Sequence, residues 1–435
     1  MSSHAGSPRQ RLARAWHAFD GLASDTLWSG AADALGLITT MTSFLLVTRV
    51  LPKEQYGGYV GLYGLLGAVG AFSYSGVGLA LLQRLLGERD EPNRALRSFL
   101  SLAMLAGATM AVVAVGLSLT FLRLSVVEVI LIATAELVGT ATIYVSSILV
   151  QAASGFAAAT RVRLGLVSIR LVSVVTLKLA GQLSIANLGA SFLVGFALYA
   201  VYLLVVHLPR HGYEVSFGWP SRLALRSSGV FSIPMGAGKL QTDADKFMLN
   251  AFGFRAEAGV YGAAYRLIQV GIMPLMALDT AAFQRFLPKG ADEAKLHWRR
   301  AIRLARLTMV ASVMVSVALY VVLPYLDFLL EAQYRQAFDI APWLLPLIPL
   351  IATSGTPLNG LLGLGQSDKR MLVYLSSAFI SLILYAILIP PLDWRGAVIA
   401  TFISEIYLAI AGWWALWYYQ GRADAARANR IMTPV

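Results

Sequence analysis

One short stretch holds much of the chemistry this chain could do. Lys239, Gln241, Thr242, Asp243, Asp245 and Lys246 sit close together in an otherwise apolar run. Read as a helix, positions 239, 243 and 246 recur at i, i+4 and i+7 and share one face. A face that polar does not suit lipid. Counted at about 1.5 Å per residue, Lys239 lies near the middle of a bilayer, and Asp243 to Lys246 approach its outer surface. The next apolar run returns in the opposite direction and brings Arg266 to a similar depth. Ionisable side chains there are costly and face a bundle interior or a wet cavity. Two cations at that depth suit an anionic group, because arginine grips a phosphate through two parallel hydrogen bonds and lysine adds a mobile point charge. Internal pairing is an equal alternative, with Lys239 on Asp243 and Arg266 on a carboxylate of another helix. Both hold if the pairs exchange between conformations.

Two motifs nearby fail on inspection. Gly236-Ala237-Gly238-Lys239 lacks the glycine that a phosphate loop needs at position 233, which is Ile, and it lies in an apolar helix rather than a strand–loop–helix. Asp243-Ala244-Asp245 has the Asp-x-Asp form used by some glycosyltransferases, but the outward loops are too short to hold a catalytic domain. The expectation is a protein that is not an enzyme.

The elements that position these residues follow from hydropathy. The chain has 435 residues, 57% hydrophobic and 13% charged, where soluble domains carry about 25% charged residues. Apolar runs long enough to span a bilayer fall at about 27–49, 58–80, 98–122, 125–151, 163–181, 184–207, 228–251, 257–284, 304–326, 337–363, 371–390 and 396–419. The formal charge of +12 does not indicate nucleic acid, because most Lys and Arg fall in alternate loops. One side has Arg84, Arg89, Arg94 and Arg97, then Arg210, Arg222 and Arg226, then Arg285 to Arg306. The other has only Arg49, Lys53, Arg123, Lys178, Arg255, Arg335 and Arg395. Cytoplasmic loops hold the excess, so the chain is expected to be a multi-pass protein of the cytoplasmic (inner) membrane with both termini on the cytoplasmic side. The absence of cysteine excludes disulfides and thiolate sites, and the scattered histidines form no metal cluster.

Residues 44–69 and 246–271 read as two versions of one passage. At a constant offset Lys53 falls on Arg255, Gly57 on Gly259, Tyr59 on Tyr261, Tyr63 on Tyr265 and Leu65 on Leu267. A weaker echo pairs Gly155, Arg161 and Leu164 with Gly363, Lys369 and Leu372. Repeats of half the chain imply two related lobes, and in a membrane protein two lobes suggest a transporter. The expected fold is an all-α integral membrane protein, with about 12 transmembrane helices in two parallel-repeat six-helix bundles around a central cavity. The expected division is an N-terminal segment 1–26, an N-lobe 27–207, a linker 208–227, a C-lobe 228–419 and a tail 420–435. Residues 285–303 read as a basic amphipathic surface helix. Glu136, Arg170, Asp279 and Glu405 are further charges inside spans, each explained by a salt bridge or hydrogen bond more readily than by function. Asp33 and Asp243, on equivalent helices of the repeat, are the preferred candidates for proton or sodium coupling. Pro234, Pro274, Pro342, Pro346, Pro349 and Pro357 are expected kinks.

Two passages resemble a known family. Leu45-Leu46-Val47-Thr48-Arg49-Val50-Leu51-Pro52-Lys53-Glu54-Gln55-Tyr56-Gly57-Gly58-Tyr59 is similar to the end of the first helix of Wzx-type polysaccharide flippases. Asp245-Lys246-Phe247-Met248-Leu249-Asn250, followed by Gly259-Val260-Tyr261-Gly262-Ala263-Ala264-Tyr265-Arg266, resembles their seventh and eighth helices. The patterns indicate the multidrug/oligosaccharidyl-lipid/polysaccharide exporter superfamily more firmly than one branch. The resemblance implies alternating access and a cavity lined by helices 1, 2, 7 and 8. It implies a polyprenyl-diphosphate-linked glycan as substrate, with Lys239 and Arg266 on the diphosphate and Tyr63 and Tyr265 among the cavity residues, together with Asp33, Asp243, Asp245 and Lys246. Membrane lipids surround such a protein, and a polysaccharide polymerase and other assembly proteins are expected partners. No cofactor is expected beyond a coupling H+ or Na+. A cation-coupled multidrug exporter is the alternative, although its cavity should be acidic; a membrane glycosyltransferase or polymerase is a weaker one.

Overall fold

The computed structural model describes residues 35–86, 90–122, 124–283 and 294–432. Asp33, the N-terminal segment and residues 285–293 of the stretch predicted as a basic surface helix lie outside the described residues; 294–303 of that stretch begin the helix Ala294–Val322. The described chain is almost wholly helical. It runs through α1 (Leu35–Thr48), α2 (Lys53–Leu86), α3 (Pro92–Phe121), α4 (Val126–Ser154), α5 (Phe156–Leu179), α6 (Ile185–Arg210), α7 (Arg222–Ala251), α8 (Arg255–Phe283) and α9 (Ala294–Val322). A pair, α10 (Gln336–Leu344) and α11 (Leu347–Gly363), bends by 50° and serves as one leg. The last stretch, Ser367–Met432, breaks at Asp393, whose φ is 50°, into α12 (367–392) and α13 (394–432). With α10 and α11 counted together, the described residues form the twelve legs expected from hydropathy.

Among the described residues six helices, or seven with the bent pair, are long and apolar enough to cross a membrane by composition, with α12 and α13 counted as one. Others, α5, α7 and α8 among them, are long enough but carry the polar and charged residues of the site. Local chemistry sets the ends. Pro92 opens α3, where a missing N–H costs nothing, and Ser125 and Glu128 form a reciprocal cap on α4. Ser221 caps α7 by accepting from the Ala224 N–H at 3.1 Å. Helical structure starts earlier than hydropathy alone indicates, at Lys53 rather than 58 and at Arg222 rather than 228, because polar first turns still satisfy helix bonds. The kinks have identifiable causes. Pro346 stands at the α10–α11 bend, while α7 continues through Pro234.

Among the described residues three helices contain a π-turn, at Ala71–Ser75 in α2, Ala135–Gly139 in α4 and Leu203–His207 in α6. Such turns often mark functional positions. Here the first carries Tyr74 and the second Glu136.

The halves meet along α2. It runs antiparallel to α7 at backbone contact, because a Cβ on Gly64 would meet the Asp243 carbonyl and one on Gly76 would meet the Ser232 backbone. Asn250 on α7 donates across the seam to the Gly57 carbonyl at 2.7 Å. At their N-terminal ends α2 and α8 also touch, and reciprocally: Gly57 sits on the Arg255 carbonyl, and Gly259 sits on the Lys53 carbonyl. The four residues are those that the sequence repeat aligns as Gly57 with Gly259 and Lys53 with Arg255.

Candidate functional site

Glu136 is the centre of the N-terminal half of the site. Buried at the π-turn of α4, it accepts from Tyr63 of α2 at 2.8 Å and from Thr140 at 3.4 Å, and forms an ion pair with Arg170 of α5. A buried carboxylate with a cation and two hydroxyl donors has its charge compensated. The other side of Arg170 is less satisfied: its Nε is buried with no partner among the described residues.

Beside this cluster lies a cavity of about 200 Å³. Ser43 and Phe44 of α1, Tyr56, Tyr59 and Tyr63 of α2, and Arg170 line it from the N-terminal half. Arg266 of α8 enters from the opposite half. Arg266 is half-buried; it donates to the Gln269 amide oxygen of its own helix at 2.8 Å and lies within hydrogen-bonding reach of Tyr56 on α2. The Ser43 hydroxyl is a second buried group with no partner among the described residues. The cavity thus presents two guanidinium groups, tyrosine faces and a spare hydroxyl. Tyr59 and Tyr63 pack with ring centroids 4.7 Å apart.

The polar stretch of α7 is organised differently. Lys246 Nζ lies 2.9 Å from Asp245 Oδ1 and 3.2 Å from Asp243 Oδ1, donates to the Thr242 carbonyl at 3.1 Å and sits 3.9 Å from the Tyr265 ring centroid. Asp245, fully buried, also accepts from Tyr261 at 2.7 Å. This is a closed network that holds α7 against α8. Asp243 and Lys239 form a looser pair at 3.8 Å, with the Lys239 side chain 61% exposed. Arg266 lies within electrostatic reach of Asp243, and Tyr74 within reach of Asp243, Glu136 and Arg170.

Glu405 on α13 is the third buried carboxylate. The Gln241 amide donates to it at 3.0 Å and the Ser354 hydroxyl at 3.4 Å. Tyr385 joins the same group through the Gln241 carbonyl at 3.2 Å and Thr401 at 3.0 Å.

The residues expected from sequence therefore separate into three places. Arg266 and Tyr63 line the cavity. Lys239 is exposed and pairs loosely with the half-buried Asp243, both outside the cavity's lining, and Asp245, Lys246 and Tyr265 are enclosed in the α7–α8 network. Asp33 lies outside the described residues. With Asp245 buried between Lys246 and Tyr261, the Asp-x-Asp pair does not present two oxygens to a nucleotide-bound metal. Sequence reading gave no role to Tyr74 or Tyr261. The repeat alignment of Tyr59 with Tyr261 was the available signal for the latter.

No family model and no curated protein matches the sequence. Solved structures do match the fold. A multidrug resistance MATE family transporter of the MOP superfamily in its inward-facing conformation superposes with a TM-score of 0.65 at 15% identity, over 90% of this chain and 96% of that one. The chain has the MATE transporter fold. The outward-facing conformation of such a transporter gives 0.63 at 15% identity over 93% and 96%. A MOP superfamily transporter from Pyrococcus furiosus gives 0.65 at 14% identity over 93% and 96%, and its reversed pocket polarity is reported to suggest a different function.

Proposed function

We propose that this chain is a carrier for an anionic lipid-linked substrate, a polyprenyl-diphosphate-linked oligosaccharide, which it moves across the inner membrane by alternating access. The observation that carries this reading is the cavity into which Arg170 and Arg266 project from opposite halves. A diphosphate can accept hydrogen bonds from both guanidiniums at once, and such charge-assisted pairs are the strong ones. Tyrosine faces beside it suit sugar rings and a lipid chain. The cavity holds a diphosphate but not a glycan, so the lobes must part to admit the rest.

The twin matches to inward- and outward-facing structures fit a scaffold that populates both states. Coupling to an H+ or Na+ gradient belongs to the same reading. Asp243 is the candidate that remains half-buried, 22% exposed, and so within reach of water. The polysaccharide polymerase and assembly proteins are proposed as partners on the side where the glycan emerges. The fold's likeness to multidrug transporters makes export of drugs the second reading.

Purified protein in liposomes separates the two. The expected result is outward movement of a labelled polyprenyl-diphosphate glycan that Arg266→Ala reduces at least tenfold. Unchanged movement in an Arg170→Ala/Arg266→Ala double variant would sink the anion reading. Efflux of organic cations without glycan movement would favour the drug exporter.

A further inference from the structure

A second cavity, of about 520 Å³, lies at an Arg-rich end of the bundle and shares no lining residue with the Arg170–Arg266 cavity. It is formed where the segment joining the two halves crosses α3. That segment is extended between the turn at Gly212 and the start of α7. Three of its backbone N–H groups lace it to α3: Glu214 to Asn93 at 3.1 Å, Gly218 to Ser101 at 3.1 Å and Ser221 to Ser98 at 2.9 Å. The Arg97 guanidinium lies directly against Gly218 of the strap.

Arg84, Arg94 and Arg97 line this cavity, with Trp219 of the strap beside them. Asp90 holds Arg84 at 2.6 Å, and Glu91 is the other acidic residue of the lining. Arg94 and Arg97 are exposed, and Trp219 is 91% exposed. Tryptophan at the end of a membrane bundle marks the depth of lipid headgroups, and basic residues on the cytoplasmic side attract anionic lipids. The first turns of α3 and α7 both border the cavity, which adds to its positive field.

We propose that this cavity binds the phosphate headgroup of an anionic phospholipid of the cytoplasmic leaflet, with Arg94 and Arg97 on the phosphate and Trp219 packed on the glycerol backbone and upper acyl chain. Bound there, the lipid spans α3 and the strap, and so fastens the segment through which the two halves are joined. The site is separate from the Arg170–Arg266 cavity and stands whether or not the proposed substrate is correct.

The experiment uses the full chain in nanodiscs of phosphatidylcholine containing an equal mole fraction of brominated phosphatidylglycerol or brominated phosphatidylcholine. The contribution of Trp219 is the difference in fluorescence between the native chain and Trp219→Phe. Brominated phosphatidylglycerol is expected to quench that contribution at least twofold more than brominated phosphatidylcholine. The preference should disappear in Arg94→Ala/Arg97→Ala and largely survive in Arg94→Lys/Arg97→Lys, which keeps the charge. Equal quenching by both lipids, or a preference that persists in the double alanine variant, would overturn the proposal. Loss of the preference on adding millimolar inorganic phosphate at constant ionic strength would assign the site to a soluble anion instead, and would overturn the lipid assignment.

Discussion

Two seams of this molecule are counterparts under the repeat, yet they are built in opposite ways. Along α2–α7 the helices meet at backbone distance, with Gly64 on the Asp243 carbonyl. Along α8–α1 the residue aligned with Gly64 is Arg266, and there the helices border the 200 Å³ cavity. One seam is sealed by the absence of a side chain and the other is propped open by a long cationic one. The same asymmetry appears one turn away. Phe44 packs apolar surface in α1, whereas its counterpart Lys246 is locked between two carboxylates in α7. The duplicated scaffold supplies the frame, and a few exchanges within it decide which seam is structural and which can bind.

Exchanging residues between the copies tests this contrast. The largest effect is expected from Gly64→Arg, which forces a side chain into the sealed seam. Overpacking costs about 1–3 kcal/mol even for added methylenes, and a whole guanidinium stem has nowhere to go, so yield of monodisperse protein should fall to near zero. A well-behaved variant would show that the α2–α7 contact is not required.

Next is Lys246→Phe, which gives α7 the residue of α1. It leaves the buried Asp245 with the Tyr261 hydroxyl but no cation, and breaking a buried ion pair from one side costs about 3–5 kcal/mol, to be read as a large drop in thermal unfolding temperature in detergent. Wild-type stability would mean the network is dispensable.

Arg266→Gly converts the open seam to the sequence of the sealed one. Hydrogen bonds to charged groups contribute about 1.5–3 kcal/mol, so diphosphate binding should weaken by roughly 10–100-fold while the unfolding temperature changes little. A large loss of stability would make Arg266 a structural residue instead.

The smallest effect on stability is expected from Lys239→Leu, the residue of the first copy at that address. An exposed pair at 3.8 Å contributes at most about 1 kcal/mol. Transport by this variant then reports whether Lys239 meets substrate in another conformation.

The layout was legible from sequence because hydropathy alone fixes where a bilayer-spanning helix can lie, and the repeat was legible because residues such as Gly57 and Gly259 stand at equivalent addresses. The site was legible only in part. Arg266 could be placed by depth, but its face could not, since the chain gives no crossing angles. Lys246 looked available on the polar face of α7, and only the tertiary fold shows that Asp245 turns back onto it and that the Tyr265 ring covers it. Glu136 and Arg170 were both visible as buried charges, but their pairing depends on how α4 packs against α5. The π-turn that carries Glu136 leaves no compositional trace.

The reciprocal contact of Gly57 and Gly259 has a further consequence. It is isologous, the kind of contact that a patch makes with a copy of itself across a two-fold axis. A six-helix unit bearing that patch is equipped to close as a homodimer, and in such a dimer every address is occupied twice by the same residue. Arginine would then stand in both seams or in neither. Joining two copies in one chain removes that symmetry requirement, so that a glycine can close one seam while an arginine occupies the other.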